Sequence, residues 1–178
     1  SALRALLAQG DVGGAQDYIA GVDKAVAAST TIMDTHNPLL DSILTRKYEE
    51  ATRQGVSVYF DLCDLRDFPL SGVDMVTVLA NLLDNAIAAA GAAEPKQVRL
   101  TMQTADGALS ILCRNSCGKG AEGTAVNQGK MTRGNGRGII NRVVKKYGGE
   151  METQPGDGCY TVSVMAFAKE EADEPDNG

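Results

Sequence analysis

The sequence reads Asn81-Leu82-Leu83-Asp84-Asn85-Ala86 in the middle of a stretch that we predict to be one long helix, from Ser71 to about Ala90. Asn81 and Asn85 are four residues apart, so their amide side chains lie on one face of that helix. Asparagine is unfavourable inside a helix, so two asparagines on one face indicate a functional role. Amide oxygens suit a hard cation such as Mg²⁺ that also binds substrate phosphates. Two exposed or capping asparagines would show the same spacing.

A second stretch, Gly134-Asn135-Gly136-Arg137-Gly138-Ile139-Ile140-Asn141, joins a long loop to the next predicted helix. Glycine lets the backbone approach a phosphate, and a helix N-terminus offers free N–H groups and a positive dipole. No strand runs directly into the stretch and no Gly-Lys-Ser/Thr follows it, which excludes a Rossmann fingerprint and a P-loop. Lys119, Lys130 and Arg133 lie in the same loop and could reach phosphates, although a solvated loop without function would carry similar charges.

The remaining pattern predicts an α/β protein. Asn37-Pro38 begins a helix that ends near Gln54, and Ser71 with Asp74 resembles a capping box. The loop from Asn115 to Gly136 is long and rich in glycine, which is typical of a functional loop. Strands are predicted at 56–62, 97–103, 108–114, 151–153 and 160–167, and a further helix at 137–147. This order indicates a two-layer sandwich of a mixed, mainly antiparallel sheet with helices on one face.

Three regions are predicted along the chain. Residues 1–30 read as part of a helical hairpin, whose first helix is expected to begin before Ser1. Residues 31–168 contain all of the predicted strands and form the main domain. Residues 169–178 form an acidic tail that is expected to be disordered.

Composition excludes several classes of function. The 178 residues include 17 lysines and arginines and 23 acidic residues, so the net charge is 17 − 23 = −6, which argues against a nucleic-acid binder held by bulk charge. No stretch approaches the roughly 18 apolar residues of a membrane span, so neither a span nor a secretion signal is expected within these residues. The four cysteines form no C-x-x-C pair and only one histidine is present, so reduced thiols are favoured over a metal centre.

Taken together, the two motifs resemble the GHKL (Bergerat-fold) nucleotide-binding domains. The order is Asn81 to Ala86, a hairpin, a long glycine-rich loop, and then Gly136-x-Gly138-x-x-Asn141. The chain is most similar to histidine kinases of the accessory-gene-regulator quorum-sensing type. Thr35-His36-Asn37-Pro38-Leu39-Leu40-Asp41, followed by Lys47-Tyr48 and Gly55, resembles the first helix of that subgroup. The resemblance covers roughly residues 31–167, and the N-terminal hairpin resembles the end of a dimerisation module.

The resemblance implies ATP and Mg²⁺ as ligands. Asn85 would hold Mg²⁺ between the ATP phosphates, Gly136 and Gly138 would let the lid wrap the triphosphate, and Gly134 and Arg137 belong to the same box. GHKL ATPases carry a water-activating Glu where this chain has Asn81, so kinase chemistry is favoured over hydrolysis. The Asp that reads adenine in the family is replaced by Asn115, whose carbonyl could still accept a hydrogen bond from the base.

The expected function is therefore transfer of the ATP γ-phosphoryl group to a histidine and from there to a response regulator. The resemblance implies a homodimeric parent protein, anchored in the membrane by an N-terminal sensor region, with this domain in the cytoplasm. No contact with nucleic acid, and none with the membrane from these residues, is expected. A degenerate GHKL module without phosphotransfer is the alternative. A serine kinase of the anti-sigma type is weaker, because such proteins lack the N-terminal hairpin.

His36 is not expected to be the phosphate acceptor. Acceptor histidines in the family lie in the middle of a dimerisation helix and are followed by an acidic residue. His36 is followed by Asn37 and Pro38, and proline disfavours helical geometry in the residue before it. The acceptor is expected to lie before Ser1.

Overall fold

The computed structural model describes residues 33–118 and 136–168. The chain divides after Met33, and the elements described here all belong to the unit Asp34–Gly178. The predicted N-terminal hairpin, most of the glycine-rich loop and the acidic tail lie outside the described residues. The elements are α1 (Pro38–Arg53), β1 (Ser57–Leu62), α2 (Gly72–Gly91), β2 (Gln97–Ala105), β3 (Ala108–Ser116), α3 (Gly136–Lys145), β4 (Glu150–Gly156) and β5 (Cys159–Phe167).

The five strands form one mixed sheet in the order β1-β2-β3-β5-β4. β1 pairs with β2 in parallel, and the other three pairs are antiparallel. α1 packs against β1, α2 against β2 and β3, and α3 against β4 and β5. The predicted two-layer α/β sandwich, with a mainly antiparallel sheet and helices on one face, is confirmed.

The core lies between α2 and the sheet. Strand residues alternate between the two faces of the sheet, so that Val98, Leu100 and Met102 of β2 point into the core together with Leu109 and Ile111 of β3. The buried residues of α2 recur every three or four positions, as one helical face requires; they are Met75, Val78, Leu79, Leu82, Leu83, Ala86, Ile87 and Ala90. This packing leaves the polar face of α2 free to form a site.

By length and mean hydropathy (1.4), α2 could also cross a membrane. In the structure it carries Asp74, Asp84, Asn81 and Asn85 on its polar side and buries its apolar side in the core of the domain. Its apolar character is explained by that packing.

Local signals set most of the element boundaries. The Asn37 side chain accepts hydrogen bonds from the backbone N–H groups of Leu39 and Leu40, at 3.1 and 3.2 Å, so the predicted start of α1 is confirmed. The β2–β3 turn has positive φ at both Asp106 and Gly107, which is typical of a two-residue Asp-Gly hairpin.

The prediction was wrong at the end of β3. This strand continues to Ser116 instead of ending at Arg114, because Asn115 and Ser116 pair with Tyr160 and Cys159 of β5. Asn115 is therefore a strand residue and not the first residue of the loop. β4 and β5 are also longer than predicted, and their turn shortens to Asp157-Gly158.

Candidate functional site

Asn81 and Asn85 lie on the polar face of α2, as their spacing predicted. Asn85 is exposed and Asn81 is half-buried. The Asn81 side-chain nitrogen donates a hydrogen bond of 2.7 Å to the Thr77 carbonyl oxygen, one turn earlier in the same helix. That bond orients the Asn81 amide, and its oxygen is turned towards the start of α3.

Gly136, the first residue of α3, lies directly against these two side chains. A Cβ atom at Gly136 would lie 3.1 Å from Asn85 Nδ2 and 3.4 Å from Asn81 Oδ1. A side chain at this position would therefore enter the space between the two asparagines and α3. The structure thus brings together the two motifs, which are separated by 136 − 81 = 55 positions in the sequence.

The first turn of α3 contributes backbone groups to this site. The first N–H groups of an α-helix have no partner within the helix, and the helix dipole is positive at that end. Gly136, Arg137 and Gly138 all lie in this turn. Basic residues Arg142 and Lys145 occupy the last turn, where they stabilise the helix dipole.

Arg137 does not extend freely into solvent. Its guanidinium lies over the ring of Tyr160, 5.0 Å from the centroid, which is a cation–π contact. Tyr160 is buried, and its hydroxyl has no hydrogen-bond partner within the part of the chain that the structure describes. The contact holds the start of α3 against β5.

Asn115 lies next to Tyr160 in the sheet and is buried. Its side-chain nitrogen donates a 2.8 Å hydrogen bond to the Ser116 carbonyl oxygen. That bond uses one of the two N–H donors of the amide, and the side-chain carbonyl is the group that could accept a hydrogen bond from a base. Lys119, Lys130, Arg133 and Gly134, which were also predicted to bind nucleotide, lie outside the described residues.

A buried lysine, paired with two partly exposed carboxylates, links α1 to the asparagine motif. Lys47 of α1 is almost fully buried, and its ammonium contacts Asp84 and, at 2.8 Å, Glu50. Burial alone would lower the pKa of Lys47, but the hydrogen bonds to the two carboxylates outweigh it and raise the pKa. Lys47 therefore stays charged and ties α1 to α2 at the residue before Asn85.

The sequence analysis named Lys47 only as part of the family resemblance and predicted no role for it. A lysine on the buried side of a predicted helix was the available signal, because such a lysine needs a paired charge. The partner could not be chosen, since several acidic residues were candidates.

A second polar cluster joins the first turn of α2 to the end of α3. The Ser71 hydroxyl accepts a bond from the Asp74 N–H, which is one of the two bonds of the predicted capping box. The Ser71 N–H donates to the Tyr147 hydroxyl at 3.0 Å, and that hydroxyl donates to Asp74 Oδ2 at 2.7 Å. Lys146 Nζ lies 3.4 Å from Asp74 Oδ1. The hydrogen bond from Tyr147 is the main reason that the pKa of Asp74 lies below its ordinary value.

Comparison with known proteins identifies the family. A family model described as the GHKL domain matches residues 70–166, which is 97 of the 178 residues. The chain belongs to the GHKL family. The matched range contains Asn81, Asn85, Asn115 and the glycines of the second motif. No curated protein matches the chain.

Several solved structures with the same fold are histidine kinase domains. The catalytic domain of histidine kinase ThkA has a TM-score of 0.57 and 16% identity, over 75% of this chain and 92% of that one. The Acinetobacter baumannii histidine kinase AdeS has a TM-score of 0.55 and 12% identity, over 95% and 93%. The Erythrobacter litoralis EL346 histidine kinase domain has a TM-score of 0.52 and 17% identity, over 76% and 63%. This GHKL domain therefore has the fold of histidine kinase catalytic domains.

Proposed function

We propose that this GHKL domain binds Mg-ATP and is the catalytic domain of a sensor histidine kinase, of the accessory-gene-regulator type. The observation that carries the proposal is the contact of Gly136 with Asn81 and Asn85. An oxygen ligand for a cation and the N-terminus of a helix meet at one point of the surface. Such a point suits a magnesium-bound phosphate.

The residues present fit this ligand. Asn85 has an exposed amide whose oxygen would hold Mg²⁺, and the first-turn amides of α3 would bind phosphate oxygens. The absence of a side chain at Gly136 leaves the backbone open to the ligand. When bound, Mg-ATP supplies the γ-phosphoryl group and the cation that offsets its charge. The chain's own part is to hold and orient these groups, which is how proteins chiefly accelerate phosphoryl transfer.

Asn81 favours transfer to a protein acceptor over hydrolysis. Its amide nitrogen is engaged with the Thr77 carbonyl, and an amide cannot accept a proton from water as a carboxylate would. We propose that the first acceptor is a histidine outside these residues and that a response regulator then receives the phosphoryl group. We further propose that the parent protein is homodimeric and membrane-anchored, with this domain in the cytoplasm. His36 is exposed and lies outside any helix, with a positive φ, which argues against it as the acceptor.

The alternative is a degenerate GHKL module that binds nucleotide or docks a partner without phosphotransfer. The observation in its favour is Asn115, an amide in place of the family's carboxylate, with its nitrogen already bonded to Ser116. An amide makes a weaker hydrogen bond to the adenine amino group than an ionised carboxylate does. A module that only docks a partner would show no measurable binding of Mg-ATP, and one that only binds nucleotide would bind Mg-ATP without phosphotransfer.

Calorimetric titration with ATP tests the proposal, once in the presence of Mg²⁺ and once with EDTA in place of Mg²⁺. We expect binding that requires Mg²⁺ and that falls about ten- to a hundredfold in Asn85→Ala, which corresponds to about 1–3 kcal/mol. Gln103→Ala, which removes an exposed amide from β2, is the matched control and should bind normally. Folded Asn85→Ala that binds like the wild type would refute the assigned site.

Incubation with γ-labelled ATP tests the position of the acceptor. We expect clear ATP binding but no labelled protein, because the acceptor histidine is not among these residues. Acid-labile, stoichiometric label that disappears in His36→Gln would contradict this expectation.

A further inference from the structure

The two ends of α3 are held in very different ways. At the N-terminal end, Gly136 and Gly138 offer no side chain, and Arg137 between them contacts Tyr160 of β5 and not α2. The middle of the helix buries only Ile140, Val143 and Val144. Beyond its C-terminal end, Tyr147 bonds to both Ser71 and Asp74. The directional contacts in the described residues that fix α3 to α2 are therefore concentrated at the end away from the nucleotide site.

α3 runs antiparallel to α2. Its start lies against Asn81 and Asn85, whereas its end lies against Ser71 and Asp74, earlier in α2. The ten residues of α3 make a helix about 15 Å long, so a tilt of about 4° at one end moves the other by about 1 Å. A displacement of that size is about a third of the 3.1 Å that would separate a Cβ at Gly136 from Asn85 Nδ2.

We propose that the Tyr147 hydroxyl is a positioning group of the nucleotide site. It accepts from the Ser71 N–H and donates to Asp74, so it fixes the end of α3 against the first turn of α2 in one orientation. Lys146 adds a charge contact to the same carboxylate. We call these contacts the Tyr147 clasp (Ser71, Asp74, Lys146 and Tyr147). The clasp in turn sets the position of Gly136 against Asn81 and Asn85. The proposal rests on Mg-ATP binding at that site.

The central test is Tyr147→Phe, which removes the hydroxyl and keeps the ring. If the fraction of molecules with α3 in the competent position falls to about one fifth, the Kd for Mg-ATP rises about fivefold. The matched control is Tyr59→Phe, because Tyr59 is an exposed tyrosine of β1 outside the clasp. This control should bind Mg-ATP like the wild type.

Variants of Asp74 separate positioning from a general loss of stability. Asp74→Asn keeps an oxygen that can accept from the Tyr147 hydroxyl, so it should bind more tightly than Asp74→Ala. The double variant Tyr147→Phe/Asp74→Ala should lose less affinity than the two single losses added together, because both changes remove the Tyr147–Asp74 hydrogen bond. Additive losses in the double variant would overturn the proposal.

Hydrogen exchange of the nucleotide-free protein gives a readout that does not depend on binding. In Tyr147→Phe, the amides of α3 should exchange faster, while those of β2 and β3 keep the wild-type rates. Equal acceleration in the sheet would show a structural role only and would overturn the proposal, as would wild-type affinity in Tyr147→Phe.

The two proposals can fail separately. If the wild type does not bind Mg-ATP, the proposed function fails, and the exchange rates of α3 decide whether Tyr147 positions the helix. If the wild type binds and Asn85→Ala does not, while Tyr147→Phe binds normally, only the proposal about Tyr147 fails.

Discussion

Replacing Gly136 by alanine should weaken Mg-ATP binding without unfolding the domain. The new Cβ would lie 3.4 Å from Asn81 Oδ1, which is ordinary contact, and 3.1 Å from Asn85 Nδ2, which is tight enough that Asn85 must shift by a few tenths of an ångström. Asn81 is bonded to Thr77, whereas Asn85 is exposed and its amide ends a flexible side chain. We therefore expect Asn85 to move, and with it the oxygen proposed to hold Mg²⁺.

The expected effects on stability and on affinity differ in size. Alanine is favoured over glycine in a helix by up to about 1 kcal/mol, less at the first position, and rotation of Asn85 offsets part of this gain. The free energy of unfolding should stay within about 0.5 kcal/mol of the wild type. Displacing the Asn85 amide should weaken Mg-ATP binding no more than removing it does. We therefore expect the binding free energy to fall by about 1 kcal/mol, which raises the Kd roughly fivefold.

Calorimetry for the Kd and urea unfolding for stability measure the two effects on one sample. Gly91→Ala is the matched control, because a Cβ there meets only Gln54 Oε1, at an ordinary 3.8 Å. It should change neither affinity nor fold. In an Asn85→Ala background, Gly136→Ala should cost nothing further, because the displaced amide is already absent. Unchanged affinity of folded Gly136→Ala, or a full additional loss in the double variant, would refute the reasoning.

Three further predictions concern stability and reactivity. Gly149→Ala should lower the free energy of unfolding in urea by about 3 kcal/mol or more, because its Cβ would overlap the Met165 carbonyl oxygen. Gly148→Ala is the control, because a Cβ there meets no atom within 4 Å. It should lower the free energy of unfolding by only about 1–2 kcal/mol, because of its positive φ. The pKa of Asp74 in the folded protein lies below its ordinary 3.8. Ionised Asp74 therefore stabilises the fold fully above that value, and this stabilisation is lost as the pH falls through the folded pKa. In urea unfolding between pH 6 and pH 3, the free energy of unfolding should fall more steeply in the wild type than in Asp74→Asn. Burial raises the pKa of Cys113 to about 12, so iodoacetamide at pH 8 should label Cys63 in the folded protein and Cys113 only in denaturant.

Much of the candidate site could be predicted from the sequence because its parts are local. The shared face of Asn81 and Asn85 follows from the helical repeat, and the apolar positions between them predict which side of α2 is buried. Gly136 and Gly138 could be placed at the start of a helix from the loop before them and the apolar spacing after them. These features depend on neighbours within one or two turns, which the sequence displays directly.

The sequence by itself determined the elements whose signals are short-range: the Asn37 cap of α1, the Ser71 cap of α2 and the Asp106-Gly107 hairpin. Only the tertiary structure decided the parallel pairing of β1 with β2 and the position of Asn115 inside β3, since strand length depends on the partner strand. It also decided which groups meet across the chain. Tyr147 bonds to Asp74 over 73 positions and Lys47 to Asp84 over 37. The physical reason is that a hydrogen bond or ion pair needs only proximity in space, and packing of the whole core sets that proximity. No local pattern in the sequence encodes it.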